Sequence, residues 1–307
     1  MEMLENSAVY LFVLFGGYVL KRLGVFDADD ARTLSKIIMK ITLPAAILKG
    51  FAGVDLTVYL VRIAVMTVVL NAALLGAGVL FSRRRSSGER GLCVLNSNTF
   101  NCGNFAMPFL SNVVSAESFA GVCMFDMANA VFTFGPNMAL AQKVMGSADG
   151  KITVKSVLRR MFREPTWVVY CVLIVTMLLN ISMPDFVLQV ANLAGNANSF
   201  LGMLCIGVLF EIHLPKNDVG LIAGILARRY LICGLFACYA YFFLPVPAEM
   251  ACTTAIVLMA PIANCAAIIS VENGCDGTAA AVVNSMSMVI SIVCMVLMLV
   301  LLPMPIR

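Results

Sequence analysis

The amino-acid sequence predicts an all-α polytopic membrane protein, and three observations support this fold class. Of its 307 residues, 61% are hydrophobic and only 12% are charged, which is about half the charge of an ordinary soluble protein. The mean hydropathy is +0.94. Apolar runs of about 20 residues, the length that a helix needs to cross a bilayer, follow one another along the chain. These properties argue against a soluble enzyme, a nucleic-acid binder and a disordered chain, and they make the lipid bilayer the main partner.

Ten apolar segments alternate with short polar connections, and none shows the alternating pattern of a membrane β-strand. A helix satisfies its backbone hydrogen bonds internally, so each segment is predicted to be a transmembrane helix. The segments cover residues 6–22, 34–53, 57–82, 91–114, 117–143, 165–183, 186–211, 219–244, 248–272 and 277–303.

Basic residues lie mostly in alternate connections. All 21 Lys and Arg except Lys49, Arg62 and Arg307 fall on one side of the predicted topology, with Arg228 and Arg229 assigned to the flank of the seventh connection. The positive-inside rule makes that side cytoplasmic. We therefore expect a multi-pass protein of the bacterial inner membrane with both termini outside the cytoplasm.

The longest polar stretch, residues 146–164, lies at the chain midpoint and separates five segments from five. Because five is odd, the second half enters the membrane in the opposite direction to the first. This predicts two inverted five-helix repeats, residues 1–145 and 165–307, joined by a cytoplasmic linker. Inverted repeats of this kind are the usual architecture of secondary transporters.

Each predicted repeat carries a helix breaker in its fourth segment, at Pro108 and at Pro261. A mid-helix proline removes one hydrogen bond, and the freed backbone groups need protein, water or ligand partners in lipid. Interrupted segments at corresponding positions of two halves indicate a transport site, whereas the alternative is a kinked helix with Asn–Asn contacts between helices. The predicted substrate-binding residues are Asn101, Gly103, Asn104, Pro108, Pro261 and Asn264.

Asparagines concentrate beside the first breaker, where Asn96, Asn98, Asn101 and Asn104 lie close together. Asparagine is costly in hydrocarbon, so we expect an unwound stretch that lines a wet cavity. The N-termini of half-helices carry partial positive charge and free amides, which suit a carboxylate. Asn101, Asn104 and Asn264 would add neutral donors, and their carbonyl oxygens would equally coordinate a sodium ion.

Asp126 is the clearest acid inside an apolar segment, and Asn129 lies on the same helix face three residues later. An ionised carboxylate there costs roughly 2.5–3.5 kcal/mol on insertion scales, so it should face a cavity or a partner. We predict that these two residues serve ion or proton coupling. The alternative is a structural carboxyl that bonds to neighbouring helices.

Catalytic motifs are absent from the sequence. It contains no metalloprotease, serine-hydrolase or nucleotide-binding motif and a single histidine, so we expect neither an enzyme nor a bound cofactor. Transport would then run on a gradient, with a sodium ion or a proton as coupling ion, or be facilitated. The 11 cysteines are scattered singly, without the spacing of a disulfide framework.

The breakers and their neighbours resemble the auxin efflux carrier family, to which the plant PIN auxin transporters belong, and more distantly the bile acid:sodium symporters. The resemblance covers nearly the whole chain and rests on the order of five short motifs. They are Ile41-Thr42-Leu43-Pro44-Ala45, Asn101 to Pro108, Phe125-Asp126-Met127-Ala128-Asn129, Ala260-Pro261-Ile262-Ala263 and Ser287-Met288-Val289-Ile290-Ser291.

This resemblance implies that the fourth and ninth helices cross near mid-membrane, with scaffold and crossover domains interleaved in sequence. It implies an elevator-type motion, small organic anions such as malate, malonate or auxin as substrates, and a homodimer. Met107 and Met288 depart from the family pattern, which leaves the substrate open. Two alternative functions stay open. One is sodium-coupled uptake of bile-acid-like amphipathic anions, and the other is ligand or lipid sensing without transport.

Overall fold

The computed structural model describes residues 2–51, 54–111, 113–146, 153–179, 181–210 and 219–302. These residues form helices and connections, with no strand among them. The all-α prediction is therefore confirmed for the described residues. Of the predicted linker, residues 147–152 lie outside the described part of the chain.

Helices in the first half are interrupted three times by a π-helical turn, a widened turn that holds one extra residue. Each such turn lies beside or around a proline, namely Pro44, Pro108 or Pro136, and the wider turn accommodates the proline ring and its missing N–H. The π-helical turns are Ile38–Thr42, Cys102–Ala106 and Thr133–Asn137.

The helices of the first half are α1 (Glu2–Arg22), α2 (Ala28–Ile37), α3 (Leu43–Phe51), α4 (Val58–Phe81), α5 (Ser87–Leu95), α6 (Met107–Leu110), α7 (Ala116–Phe132) and α8 (Met138–Met145).

Seven helices follow among the described residues of the second half. They are α9 (Val154–Met161), α10 (Pro165–Leu178), α11 (Asp185–Leu209), α12 (Val219–Phe242), α13 (Ala248–Val257), α14 (Asn264–Glu272) and α15 (Gly277–Leu301). The predicted linker thus contains a helix, α9, which meets α10 at an angle of 93°.

Five helical stretches of the described residues are long and apolar enough to cross a bilayer: α4, Ala116–Met145, α11, α12 and α15. The bent pair of α9 and α10 would add a sixth if it forms one span. Length and composition therefore indicate a membrane-embedded protein. Ten crossings and an inverted repeat stay a prediction, because several predicted segments contain shorter helices, such as α13 with 10 residues.

Two short helices, α2 and α5, begin with a reciprocal cap between side chains and backbone. The carboxylate of Asp27 accepts hydrogen bonds from the backbone N–H groups of Asp30 and Asp29 at the start of α2, and these bonds hold its pKa below the ordinary value. Before α5, Glu89 accepts from the backbone N–H of Ser86 at 2.9 Å, which lowers the pKa of Glu89. Each pair satisfies N–H groups that the first turn of a helix leaves free.

The helices pack in two groups. In the first group, α11 contacts α1, α2 and α3, and α10 packs on α3. In the second group, α4 contacts α7 and α12, α13 contacts α7, α12 and α15, and α5 contacts α8 and α14. The groups meet where α3 touches α7 and where α11 touches α6.

Glycines allow the closest approach in the first group, between α1 and α11. A Cβ atom at Gly17 would lie 2.5 Å from the backbone oxygen of Leu204, and one at Gly207 would lie 3.0 Å from the Cα of Gly17. Small residues at a helix contact let two backbones touch, which is a main source of packing energy in lipid.

Gly17→Ala is therefore expected to destabilise the protein by about 1–3 kcal/mol, the usual cost of overpacking a tight contact. Gly16→Ala is the matched control, because a Cβ there would meet nothing within 4 Å and alanine favours a helix by up to about 1 kcal/mol. Thermal unfolding in detergent, followed by the fluorescence of Trp167, measures both. Equal melting temperatures for the two variants would contradict the close contact.

Candidate functional site

The first breaker interrupts the chain between α5 and the π-helical turn Cys102–Ala106. Asn96 Nδ2 donates to Ser270 Oγ of α14 at 3.3 Å, and Asn98 Nδ2 donates to Asn71 Oδ1 of α4 at 3.0 Å. Both asparagines are fully buried. The expectation that they line a wet cavity is wrong for these two residues, which instead tie the break to neighbouring helices.

The second breaker separates α13 from α14, and the two breaks touch. The backbone N–H of Asn101 donates to the carbonyl oxygen of Pro261 at 2.8 Å. The N–H of Ile262 donates to Ser287 Oγ of α15 at 3.1 Å. Backbone groups that lost a helical partner at one break thus find a partner at the other break or in α15. We call this contact region the crossing.

Arg229 lies at the crossing, although its sequence position assigned it to a cytoplasmic flank. It stands ten residues beyond the start of α12, about 15 Å along a helix, and it is 1% exposed. Its Nη1 donates to the carbonyl oxygen of Ser97 at 2.8 Å, and its Nη2 donates to that of Ala260 at 3.2 Å. The assignment of Arg229 to a cytoplasmic flank is wrong. The positive-inside rule counts bases near helix ends and takes no account of how deeply a side chain is buried.

The cationic guanidinium of Arg229 satisfies one carbonyl from each break. It lies over the ring of Phe100, 4.1 Å from the centroid, a cation–π contact. Its Nε has no protein partner. In the described part of the chain, no carboxylate forms an ion pair with it. The crossing therefore carries a positive charge that carbonyl dipoles and an aromatic face offset only in part.

Gly103 and Pro108 pack tightly against the first group of helices, which accounts for a small residue at position 103. A Cβ atom at Gly103 would lie 2.6 Å from Leu43 Cδ2 in α3. A Cβ atom at Gly202 in α11 would lie 2.5 Å from the ring of Pro108, which is itself buried. These two residues shape the break and press it against α3 and α11.

Asn104 and Asn264, two predicted substrate ligands, are both half-buried. Asn104 Nδ2 lies 3.4 Å from Ser35 Oγ in α2, and its Oδ1 has no protein partner. Asn264 begins α14, and its Oδ1 accepts from Asn284 Nδ2 of α15 at 3.0 Å. No hydrogen bond joins Asn104 to Asn264. Sequence reasoning missed Asn284, although an amide inside the apolar tenth segment was a usable signal.

Asp126 has a polar partner from the other group of helices. Tyr170 of α10 donates its hydroxyl to Asp126 Oδ2 of α7 at 2.8 Å. No Lys or Arg of the described residues forms an ion pair with it. Tyr170 was not singled out from the sequence, because its apolar run gave no sign of a partner.

Asn129 lies one turn after Asp126 and is 3% exposed. Its Oδ1 has no protein partner, and no hydrogen bond connects it to Asp126. The structure therefore places Asn129 near the acid along α7 without making the two a bonded pair.

Metal-binding clusters do not occur among the residues that the structure describes, since no three His, Cys, Asp or Glu side chains converge there. Oxygen atoms without protein partners do occur in buried amides. They belong to Asn96, Asn98, Asn104, Asn129, Asn137, Gln142 and Asn284. Oxygen is the ligand that hard cations prefer.

Arg229→Gln is expected to lower the free energy of unfolding by about 2 kcal/mol or more, because the carbonyls of Ser97 and Ala260 each lose a charge-assisted hydrogen bond. Arg228→Gln is the control, since Arg228 is half-buried, lies over the ring of Phe81 in α4, and donates to the Cys93 sulfur at 3.6 Å rather than to the carbonyls of the breaks. Thermal and denaturant unfolding of both variants measure the difference. Equal stability would show that Arg229 does not hold the crossing.

Comparison with known proteins shows the family to which the chain belongs. The family model described as "Membrane transport protein" matches residues 4–299. An "Uncharacterized transporter" from Methanothermobacter thermautotrophicus is 23% identical over 296 residues, which are 94% of this chain and 95% of that protein. The matched family is that of the auxin efflux carriers, so the resemblance seen in the sequence motifs is confirmed. The chain belongs to the membrane transport protein family.

Proposed function

We propose that the protein is a secondary active transporter or permease for small organic anions, such as mono- and dicarboxylates or auxin-like acids. Membership of a membrane transport family supports transport in general. The observation that carries the substrate class is the crossing of two interrupted helices around Arg229, a buried cation with no carboxylate partner among the described residues.

The substrate carboxylate would bind beside the crossing, near the start of α14. A helix N-terminus presents free N–H groups and partial positive charge, and α14 begins there with Asn264. Arg229 adds a full positive charge to the same region. Asn101 and Asn104 would supply neutral donors that orient the anion. An arriving carboxylate would balance the charge of the guanidinium, which favours anions over neutral molecules of the same shape.

The motion would be of the elevator type, with one packing group moving against the other. The first group draws on α1–α3, α10 and α11, and the second on α4–α8 and α12–α15, so each group takes helices from both halves of the chain. This interleaving is the arrangement expected of two inverted five-helix repeats, residues 1–145 and 165–307, in the inner membrane.

Proton coupling would use the hydrogen bond between Asp126 and Tyr170, because this bond connects the two packing groups. An ionised carboxylate accepts strongly from the phenol hydroxyl, whereas a protonated one binds it more weakly. A change of protonation at Asp126 would therefore change the attraction between the groups as they move.

Sodium coupling is the second candidate, and one specific observation favours it. At the first break, Asn96 Oδ1, Asn98 Oδ1 and Thr99 Oγ1 are buried without protein partners. Three such oxygens close in sequence would suit a small hard cation. In this reading the substrate would be a bile-acid-like amphipathic anion. Substrate uptake that requires sodium and does not depend on a pH gradient would favour this candidate.

The substrate screen comes first. The protein in detergent is heated with each of a panel of mono- and dicarboxylates, with and without sodium and at several pH values. A ligand at about 100 times its Kd stabilises the folded state by roughly 2.7 kcal/mol, so a hit raises the melting temperature. A hit without flux in proteoliposomes would favour a ligand sensor over a transporter.

Asn264→Ala and Asn101→Ala are expected to reduce uptake of the best anion at least about tenfold, because each removes an amide at the proposed carboxylate site. Asn273→Ala is the matched control, since its side chain bonds only within α14 and to Gln142. Uptake into proteoliposomes and the thermal shift by ligand measure the effect. Full activity of both site variants would overturn the site.

Asp126→Asn is expected to abolish accumulation driven by a pH gradient while anion exchange between equal pH values continues, because asparagine keeps the side-chain shape but cannot carry a proton. Tyr170→Phe should weaken accumulation in the same assay without abolishing it, since it removes the partner and leaves the carboxyl. Accumulation at the wild-type rate in the Asp126→Asn variant would rule out proton coupling at this residue.

A further inference from the structure

The helix α9 takes no part in the proposed transport site, and its composition differs from that of all its neighbours. Residues 154–163 contain Lys155, Arg159, Arg160 and Arg163 and no acid. The helix that follows, α10, has no charged residue, and the two axes meet at 93°. A segment with four bases in ten residues is too costly for the hydrocarbon core, whereas α10 has the composition of a helix that enters it.

One exposed face of α9 is apolar. Val154, Leu158 and Phe162 are 76%, 45% and 55% exposed. They are four residues apart, so they form one stripe along the helix. Apolar residues on the surface of such a basic helix require a covering that is not water.

A basic stripe runs beside the apolar one. Lys155 and Arg159 lie in α9, and Arg163 lies in the turn that follows Phe162 at its C-terminal end. The three are also four residues apart, each directly after a member of the apolar stripe, and all three are exposed. An exposed apolar stripe flanked by a basic stripe is the pattern of a helix that lies in the membrane interface.

The third face of α9 fixes the helix to the protein. Met161 is buried, and a Cβ atom at Gly135 in the π-helical turn after α7 would lie 3.6 Å from Val157 Cγ1. At the bend, Lys40 Nζ lies 3.1 Å from Glu164 Oε2. These contacts hold α9 across the end of α10, with both stripes facing away from the protein.

We propose that α9 lies in the plane of the membrane interface and binds the phosphate headgroups of anionic phospholipids through its basic stripe. The right angle to α10 places α9 parallel to the bilayer when α10 enters it. The apolar stripe would then reach the boundary of the acyl chains, and the three bases would meet the headgroups. Each base near an anionic surface favours binding about fivefold. Since α9 packs beside the turn after α7 and leads into α10, the bound lipid would adjoin both helices that carry the Asp126–Tyr170 bond.

The single tryptophan of the chain reports on this surface, because Trp167 lies four residues beyond Arg163 at the start of α10. The full-length protein is reconstituted in vesicles of phosphatidylcholine that contain increasing fractions of brominated phosphatidylglycerol or, separately, brominated phosphatidylcholine. We expect the brominated anionic lipid to quench Trp167 at a severalfold lower mole fraction than the zwitterionic one. In high salt this preference should shrink, because screening weakens headgroup binding.

The test variant is K155Q/R159Q/R163Q, in which the two brominated lipids should quench alike. The matched control K36Q/R83Q/R84Q removes three exposed bases elsewhere on the same predicted membrane face and should keep the preference. All six side chains are exposed, so folding should be preserved, and thermal unfolding checks this. No preference in the wild-type protein, a preference retained in the test variant, or an equal loss in the control would each overturn the proposal.

Discussion

Two helices that break inside a membrane-embedded protein leave backbone groups that water does not reach, and the way these groups are satisfied organises the molecule. Asn101 pairs with Pro261 across the crossing, and Ile262 pairs with Ser287. Arg229 then supplies one hydrogen bond to each break. Because an unpaired group would cost several kcal/mol in this environment, these four hydrogen bonds fix where α5, α6, α13 and α14 lie relative to α12 and α15.

The same solution separates the two charged groups of the core. The guanidinium of Arg229 lies on the face of Phe100, and Phe100 meets Phe125 edge to face at 5.1 Å. Asp126 follows Phe125 in the chain and accepts a hydrogen bond from the neutral hydroxyl of Tyr170. A direct ion pair would neutralise both groups. Each group has neutral partners instead, which are two carbonyl oxygens and an aromatic face for Arg229 and a phenol hydroxyl for Asp126.

Local sequence rules predicted the breaks but not what holds them. The positions of Pro108 and Pro261 and the nearby amides were enough to locate both interruptions, since proline and asparagine act on their own helix. The roles of Arg229 and Tyr170 depend on partners far away in the chain, so no periodicity or charge count revealed them. Arg229 was assigned to the wrong place, because the positive-inside rule gives a base near a polar connection the same position whether its side chain faces water or the protein core. Asn96 and Asn98 show the converse error, where amides expected in a cavity serve as buried ties between helices.

The three π-helical turns give the two halves of the chain unequal mechanical character. They all lie between residues 38 and 137, the first of them beside the second, and the described residues of the second half contain none. Such a turn stores one residue more than an α-helical turn. If the extra residue moves along the helix, each side chain that it passes rotates by about 100° around the helix axis. The backbone hydrogen bonds re-form after each step. Such a shift would re-aim residues such as Asn104 while the helix stays bonded, and the described helices of the second half contain no turn of this kind.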